Sequence, residues 1–241
     1  METAQVVTAV AGPMGAAGAA HYFHPATLAK GKELGLDGLR FYFLGRGGVL
    51  GDVSARVIQS AFGYFNAPMI DKIWTSAKER VEPRAAADAL LGANADLGRE
   101  KLADVAGLAE YCDAAEQVIA AAHPAGLTLF AGISGMPVPD DLPGKAIHQT
   151  AVLRELRGSV HLLAIAAVGL DNTSAHVIRR PDDVQMFGYE TTPEVTEHEV
   201  ALLAEADTLT DRMMAVPYGA LDAAQGAALV EGATAIQGAL T

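Results

Sequence analysis

The chain has a single cysteine, Cys112, so no internal disulfide can brace it. In Leu108-Ala109-Glu110-Tyr111-Cys112-Asp113 it falls in a helical pattern as a small, half-buried hydrophobe, and a reducing cytoplasm is the expected home. Aromatic residues are scarce at 6%, while alanine and leucine, both strong helix formers, abound. That bias predicts an all-α fold. Basic residues are also few: 17 Lys and Arg against 29 Asp and Glu leave a formal net charge of -12. Such a balance repels a phosphate backbone unless the cations gather on one face, so DNA is an unfavoured partner. Long hydrophobic runs are missing as well. The apolar stretch from Gln5 to Ala20 is broken by glycine, is too short to span a bilayer, and follows Glu2 where a signal peptide carries a basic start. Neither a targeting segment nor a membrane partner is expected.

What the chain does carry is a near-repetition. Ser54-Ala55-Arg56-Val57-Ile58 returns as Ser174-Ala175-His176-Val177-Ile178, 120 positions later in 241 residues. Phe62-Gly63-Tyr64 is echoed by Phe187-Gly188-Tyr189. An offset of half the length predicts internal duplication, with a first unit over 1–125, a Gly- and Pro-rich linker over 126–144 and a second unit over 145–241. Two copies of one small unit create a cleft between them in which a small organic ligand can lie.

Periodicity predicts helices from Pro25 to Gly35, from Leu39 to Gly45 or Gly47, from the Asp52 and Ser54 cap through Phe62, and from Pro68 to Arg80. The last two, joined by Gly63-Tyr64-Phe65-Asn66, outline a helix-turn-helix with Trp74 on the inner face. Pro83 to Ala122 reads as one or two long helices, and Ile147 to Val168 and Ser174 to Arg180 as two more. Thr196 with Glu199 forms a capping box that opens a long helix ended by Pro217. The Ala-rich tail from Asp222 to Leu240 offers an apolar stripe for pairing, so a homodimer is expected.

The helix from Ile147 is the most unusual segment. Leu153, Leu156, Val160, Leu163, Ala164 and Ala167 form its core stripe, yet Arg154, Arg157 and His161 share a face beside it. A charge brought near a buried region needs a partner, because desolvating it alone costs on the order of several kcal/mol. Glu155 points elsewhere, which leaves Asp211, Asp52 or Glu205. Either the group is an ion pair that fixes helix register, or Arg157 anchors an anion beside a His161 able to move a proton near neutral pH. In the first unit Tyr42 and Arg46, four apart, share a helical face. Arg46, between glycines, reads either as a helix C-cap cation or as a group a ligand can approach closely. His161, Arg157 and Arg46 are thus the candidates for chemistry, and Tyr42, Phe43, Phe62, Tyr64 and Arg154 for ligand binding.

Other chemistries find little support. His21 and His24 are three apart but lack a third ligand and run into Pro25, so no metal is expected. Gly12-Pro13-Met14-Gly15 and Gly132-Ile133-Ser134-Gly135 lack the frame of a phosphate loop, and Ser134 lacks that of a nucleophile elbow. No cofactor is expected.

Several segments together resemble an actinobacterial helix-turn-helix-related family of uncharacterised function. They are Leu34-Gly35-Leu36 with Phe43, Gly45-Arg46 and Leu50-Gly51; Phe62 to Pro68; Leu153-Arg154-Glu155-Leu156-Arg157-Gly158 with His161 and Gly169-Leu170; and Thr210-Asp211-Arg212 with Pro217 and Leu221. The resemblance implies two winged-helix-like units, the second of MarR-like character. Members of that family carry a Trp-containing helix and a Gly-turn before their last long helix. Here Asp171 reaches Thr196 in 25 steps through the acidic Pro181-Asp182-Asp183, too short for a recognition helix and wing. The second unit is therefore expected to be divergent and to lack its DNA reader. In the first, Met69 to Arg80 offers only Lys72, Lys78 and Arg80 against Asp71 and Glu79.

Two functions follow. One is a small-molecule-binding protein or cofactor-independent acid/base enzyme, holding a largely apolar or aromatic molecule in the cleft by arginine anchoring and His161. The alternative is a MarR-like regulator that releases DNA on binding a ligand.

Overall fold

The computed structural model describes residues 1–240, and no strand occurs among the described residues. The helices are α1 (Thr3–Ala17), α2 (Pro25–Glu33), α3 (Gly38–Gly47), α4 (Ala55–Phe62), α5 (Ala67–Lys78), α6 (Pro83–Lys101), α7 (Leu108–Ala121), α8 (Thr128–Ser134), α9 (Leu142–Ala167), α10 (Asn172–Arg179), α11 (Glu197–Tyr218) and α12 (Ala223–Leu240). The fold is all-α, as the alanine and leucine content predicts. A wing requires strands, so no β-wing of the kind a winged helix carries occurs among the described residues.

Helix α9 is the axis of the molecule. Asp141 caps it by accepting from the Gly144 N–H at 2.9 Å, and Pro143 lies in the first turn, where no intrahelical N–H is required. Helices α1, α6, α7, α8, α10 and α11 pack around it. Its residues from Ala146 to Leu153 are therefore buried without interruption. That pattern marks a helix enclosed on all sides.

The two chain ends meet. Helix α12 packs on α1 and α7, and α11 packs on α1, so one continuous core runs from Val6 to Ile236. Gly226, Leu229, Gly232, Ala233 and Ile236 are buried in these contacts. The apolar stripe expected to pair two copies is already covered by the chain's own helices. The stretch 126–144, expected as a linker, holds α8, and Leu129, Phe130 and Ile133 belong to the same core. Cys112 is fully buried rather than half-buried, and burial pushes its thiol up to about 11. Pro217 does not end α11 but falls in its last turn, one residue before Tyr218. Thr196 and Glu199 form the expected capping box.

The near-repeated segments begin two short helices. Ser54 is the N-cap of α4, and Asp171 caps α10 by accepting from the N–H groups of Thr173 and Ser174. Their aromatic echoes touch each other. The Asn66 N–H donates to the Phe187 carbonyl at 2.9 Å, the Phe65 and Phe187 rings stack at 4.1 Å, and the Tyr189 hydroxyl donates to the Tyr64 carbonyl at 3.2 Å. Beyond them the halves differ. Helix α5 follows α4, whereas only a short 3-10 turn, Pro181–Asp183, lies between α10 and α11 among the described residues.

Candidate functional site

Helices α1, α3, α4, α9, α10 and α11 enclose a cavity of about 390 Å³. Val7, Val10 and Met14 of α1 form an apolar wall, and Phe62 and Phe65 an aromatic one. Five arginines and two histidines also line it, against the carboxylates of Glu155 and Asp207. Cations thus collect inside a chain whose net charge is -12.

Arg46 does not cap α3, whose last turn is closed by the Gly48 N–H instead. Its side chain turns inward, where Nε and Nη2 donate to the two oxygens of Glu155 at 2.9 and 2.8 Å. Nη1 donates to the Tyr42 hydroxyl at 2.9 Å, and the guanidinium lies 4.4 Å from the centre of the Phe62 ring. Glu155 also accepts from Arg154 at 2.6 Å and from the Tyr22 hydroxyl at 2.9 Å. Burial alone would raise the Glu155 pKa, but Arg46 and Arg154 outweigh it and hold the carboxyl down at about 2. One carboxylate therefore serves two guanidinium groups. Glu155 does not point away from the site; it is the buried anion at its centre.

Arg157 takes Asp211 as its partner, with Nη2 donating to the carboxylate at 2.7 Å. Of the other expected acids, Asp52 is ion-paired with Lys78 and Glu205 is exposed. Arg157 Nη1 is buried and has no hydrogen-bond partner among the described residues.

His161, one turn along α9, is oriented by Thr210. The Thr210 hydroxyl donates its only proton to the Ala206 carbonyl at 2.7 Å, so it must accept from His161 Nδ1 at 3.0 Å. This fixes the tautomer with the proton on Nδ1 and leaves Nε2 a lone-pair acceptor. Burial, reinforced by the Arg179 charge, pushes the His161 pKa down to about 4. The imidazole is therefore neutral near neutral pH, with Nδ1–H donating to Thr210 and Nε2 the nitrogen able to accept a proton.

Of the eight predicted site residues, Arg46, Arg154, Arg157, His161, Tyr42, Phe62 and Tyr64 line the cavity. Phe43 does not. It is fully buried behind Tyr42, the rings edge to face at 5.5 Å, because the next position on a helix turns about 100° away. His24 caps α2 through Nδ1, and His21 is buried with its pKa pushed down to about 3, first by burial and then by Arg154. Sequence reasoning missed Glu155, Thr210, Tyr218 and the α1 wall. Only Glu155 left a signal, as the one acid of α9, set between Arg154 and Arg157.

A second surface is the outer face of α4 and α5. Trp74 locks α5 inward, its indole N–H donating to the Val53 carbonyl at 2.9 Å. On α5 and in the two residues after it, Asp71 and Glu79 are exposed beside Lys72 and Arg80, so anions and cations balance there. Arg80 donates to the Gly35 carbonyl at 2.8 Å, and Arg40 engages Asp37 and Ser76.

The model of a helix-turn-helix family matches residues 7–192, which run from within α1 past the end of α10. The chain belongs to this helix-turn-helix family. No curated protein and no solved structure matches it. Asp207, Thr210, Asp211 and Tyr218, all on α11, lie beyond the matched part of this family member. No helix among the described residues is long and apolar enough to cross a membrane, and no cluster of three metal-ligating side chains occurs among them.

Proposed function

We propose that this helix-turn-helix protein binds a small organic molecule in the cavity between α1, α3, α4 and α9 to α11, and that His161 accepts a proton or hydrogen bond from it. The observation that carries the reading is the convergence of Arg46, Arg154, Arg157 and a tautomer-fixed His161 on one cavity. A volume of about 390 Å³ falls at the small end of the range of ligand sites, roughly 300–1,000 Å³. The apolar α1 wall and the Phe62 and Phe65 rings suit a largely apolar or aromatic body. Glu155 binds no ligand in this reading; it keeps Arg46 and Arg154 in place. If the protein turns its ligand over, the reaction is proton abstraction by the Nε2 of His161, with developing negative charge met by arginine. Native mass spectrometry of the protein purified from its own host, with a denatured control, tests the proposal. A bound organic molecule released on denaturation is expected, and a chain free of any ligand that also binds nothing from a metabolite extract overturns it.

The alternative, a ligand-responsive DNA-binding regulator, is favoured by family membership and by Ala61, Phe62, Tyr64 and Phe65, which carry the cavity wall directly into the α4–α5 turn. The balanced charge of the exposed α5 face weighs against it. Titration of random and genomic duplexes at low salt decides. Binding that weakens steeply with salt and is reversed by a cavity ligand would establish the regulator.

A further inference from the structure

We infer that the cavity is built for an organic acid, a molecule with one carboxylate on an apolar body, and that Arg157 is its anchor. The inference rests on the cavity reading and names the ligand class.

The free donors decide it. Glu155 is saturated by Arg46, Arg154 and Tyr22, and Asp207 is paired with Arg179, so neither acid of the lining is an uncompensated anion. Arg46 spends Nε and Nη2 on Glu155 and Nη1 on Tyr42. Among the arginines of the lining, Arg157 is the one with a fully buried nitrogen left without a partner among the described residues: Nη2 holds Asp211 while Nη1 holds nothing. An unpaired guanidinium nitrogen without water is costly, and a carboxylate oxygen is the acceptor that fits it best.

A second donor stands near. The Tyr218 hydroxyl is buried, borders the same cavity and finds only the Met14 sulfur at 3.5 Å, a weak acceptor. Tyr218 stands two turns along α11 from Asp211, the partner of Arg157, so both donors border the cavity from the same side of that helix. One guanidinium N–H and one phenol O–H match the two oxygens of a carboxylate. The rest of the cavity around Met14, Leu153 and Met214 is apolar and receives the body of the acid. His161, one turn from Arg157, presents Nε2 as an acceptor, so an acid bearing a hydroxyl or acidic C–H near its carboxylate is the best fit.

The test is calorimetric titration of the full chain with naphthoate and decanoate, each beside its own alcohol, at neutral pH. Both acids are expected to bind at least about tenfold more tightly than their alcohols, the worth of one charge-assisted hydrogen bond. Arg157→Lys keeps a cation for Asp211 but loses the second nitrogen, and Tyr218→Phe leaves Arg157 untouched. Each is expected to keep the thermal midpoint within a few degrees and to reduce the preference for the acid. Equal binding of acid and alcohol, unchanged in both variants, overturns the carboxylate assignment and leaves the cavity reading standing. Binding of none of the four probes by the wild-type chain overturns the acid assignment, and the cavity reading falls with it only if native mass spectrometry also finds a chain that carries no ligand and takes none from a metabolite extract.

Discussion

Arg46 and Glu155 stand 109 positions apart in the chain and meet in a paired, two-oxygen contact of 2.9 and 2.8 Å. Their side chains are 12% and 3% exposed, so the pair tethers α3 to α9 in a place that water hardly reaches. Such a pair adds little against an apolar replacement of both partners, but leaving one charge alone is costly. Arg154, held by the same carboxylate, doubles the consequence.

Glu155→Gln is accordingly expected to lower stability by about 3–5 kcal/mol, since it strands two guanidinium groups in the interior. Urea unfolding followed by circular dichroism measures it. A loss under about 1 kcal/mol would mean that water reaches the pair and screens it.

Acidification should weaken the fold in two stages. His21, His148 and His161 have their pKa values pushed down from 6.5 to about 3, 4 and 4, in each case first by burial. Below 6.5 the unfolded chain takes up protons that the folded one refuses, so stability rises with pH across this window and falls as pH drops through it. Glu155, held at about 2 against 4.5 unfolded, contributes above 4.5 and loses that contribution as pH falls toward 2. Urea midpoints are expected to decline already below 6.5, and His148→Gln should flatten the first stage. A midpoint constant down to 4.5 would refute the assignment.

Nitrogen NMR should find His161 with its proton on Nδ1 and no titration until the pH approaches 4. Thr210→Val removes the acceptor, at a cost of about 1 kcal/mol, and should let the other tautomer in. A His161 signal that titrates near 6.5 in the wild-type protein would place the ring in water.

Gly63 carries the turn between α4 and α5 at φ +75°, and a Cβ there would stand 2.2 Å from a methyl of Leu162 on α9. Gly63→Ala is expected to cost about 1–3 kcal/mol in urea unfolding. A neutral effect would show that the α4–α5 turn can shift away from α9.

Local chemistry made much of the fold readable. Thr196 and Glu199 announce α11 because a capping box is closed within four residues, and Pro83 opens α6 because its ring suits a first turn. Tyr42 and Arg46 could be paired on paper, since four residues on a helix always share a face. Helix α1 was not readable. Gly12, Pro13 and Gly15 look like breakers, yet Val6, Val7, Val10 and Met14 are held helical by α11, α12 and α9, none of which is adjacent in sequence. Glu155 was misread for the same reason: which side of an all-round buried helix meets a cation depends on where α3 lies.

The sequence by itself determined the all-α class, most helix starts, the α4–α5 helix-turn-helix and the chemical identities of the candidate groups, because propensity, capping and periodicity act over a few residues. Tertiary structure alone decided that Glu155 is shared, that Arg157 keeps one idle nitrogen, that Thr210 sets the His161 tautomer and that α12 covers α1. Those are outcomes of packing between distant elements. Burial then made His161 a neutral imidazole, while the buried guanidinium groups of Arg46 and Arg154 held Glu155 ionised against the same desolvation.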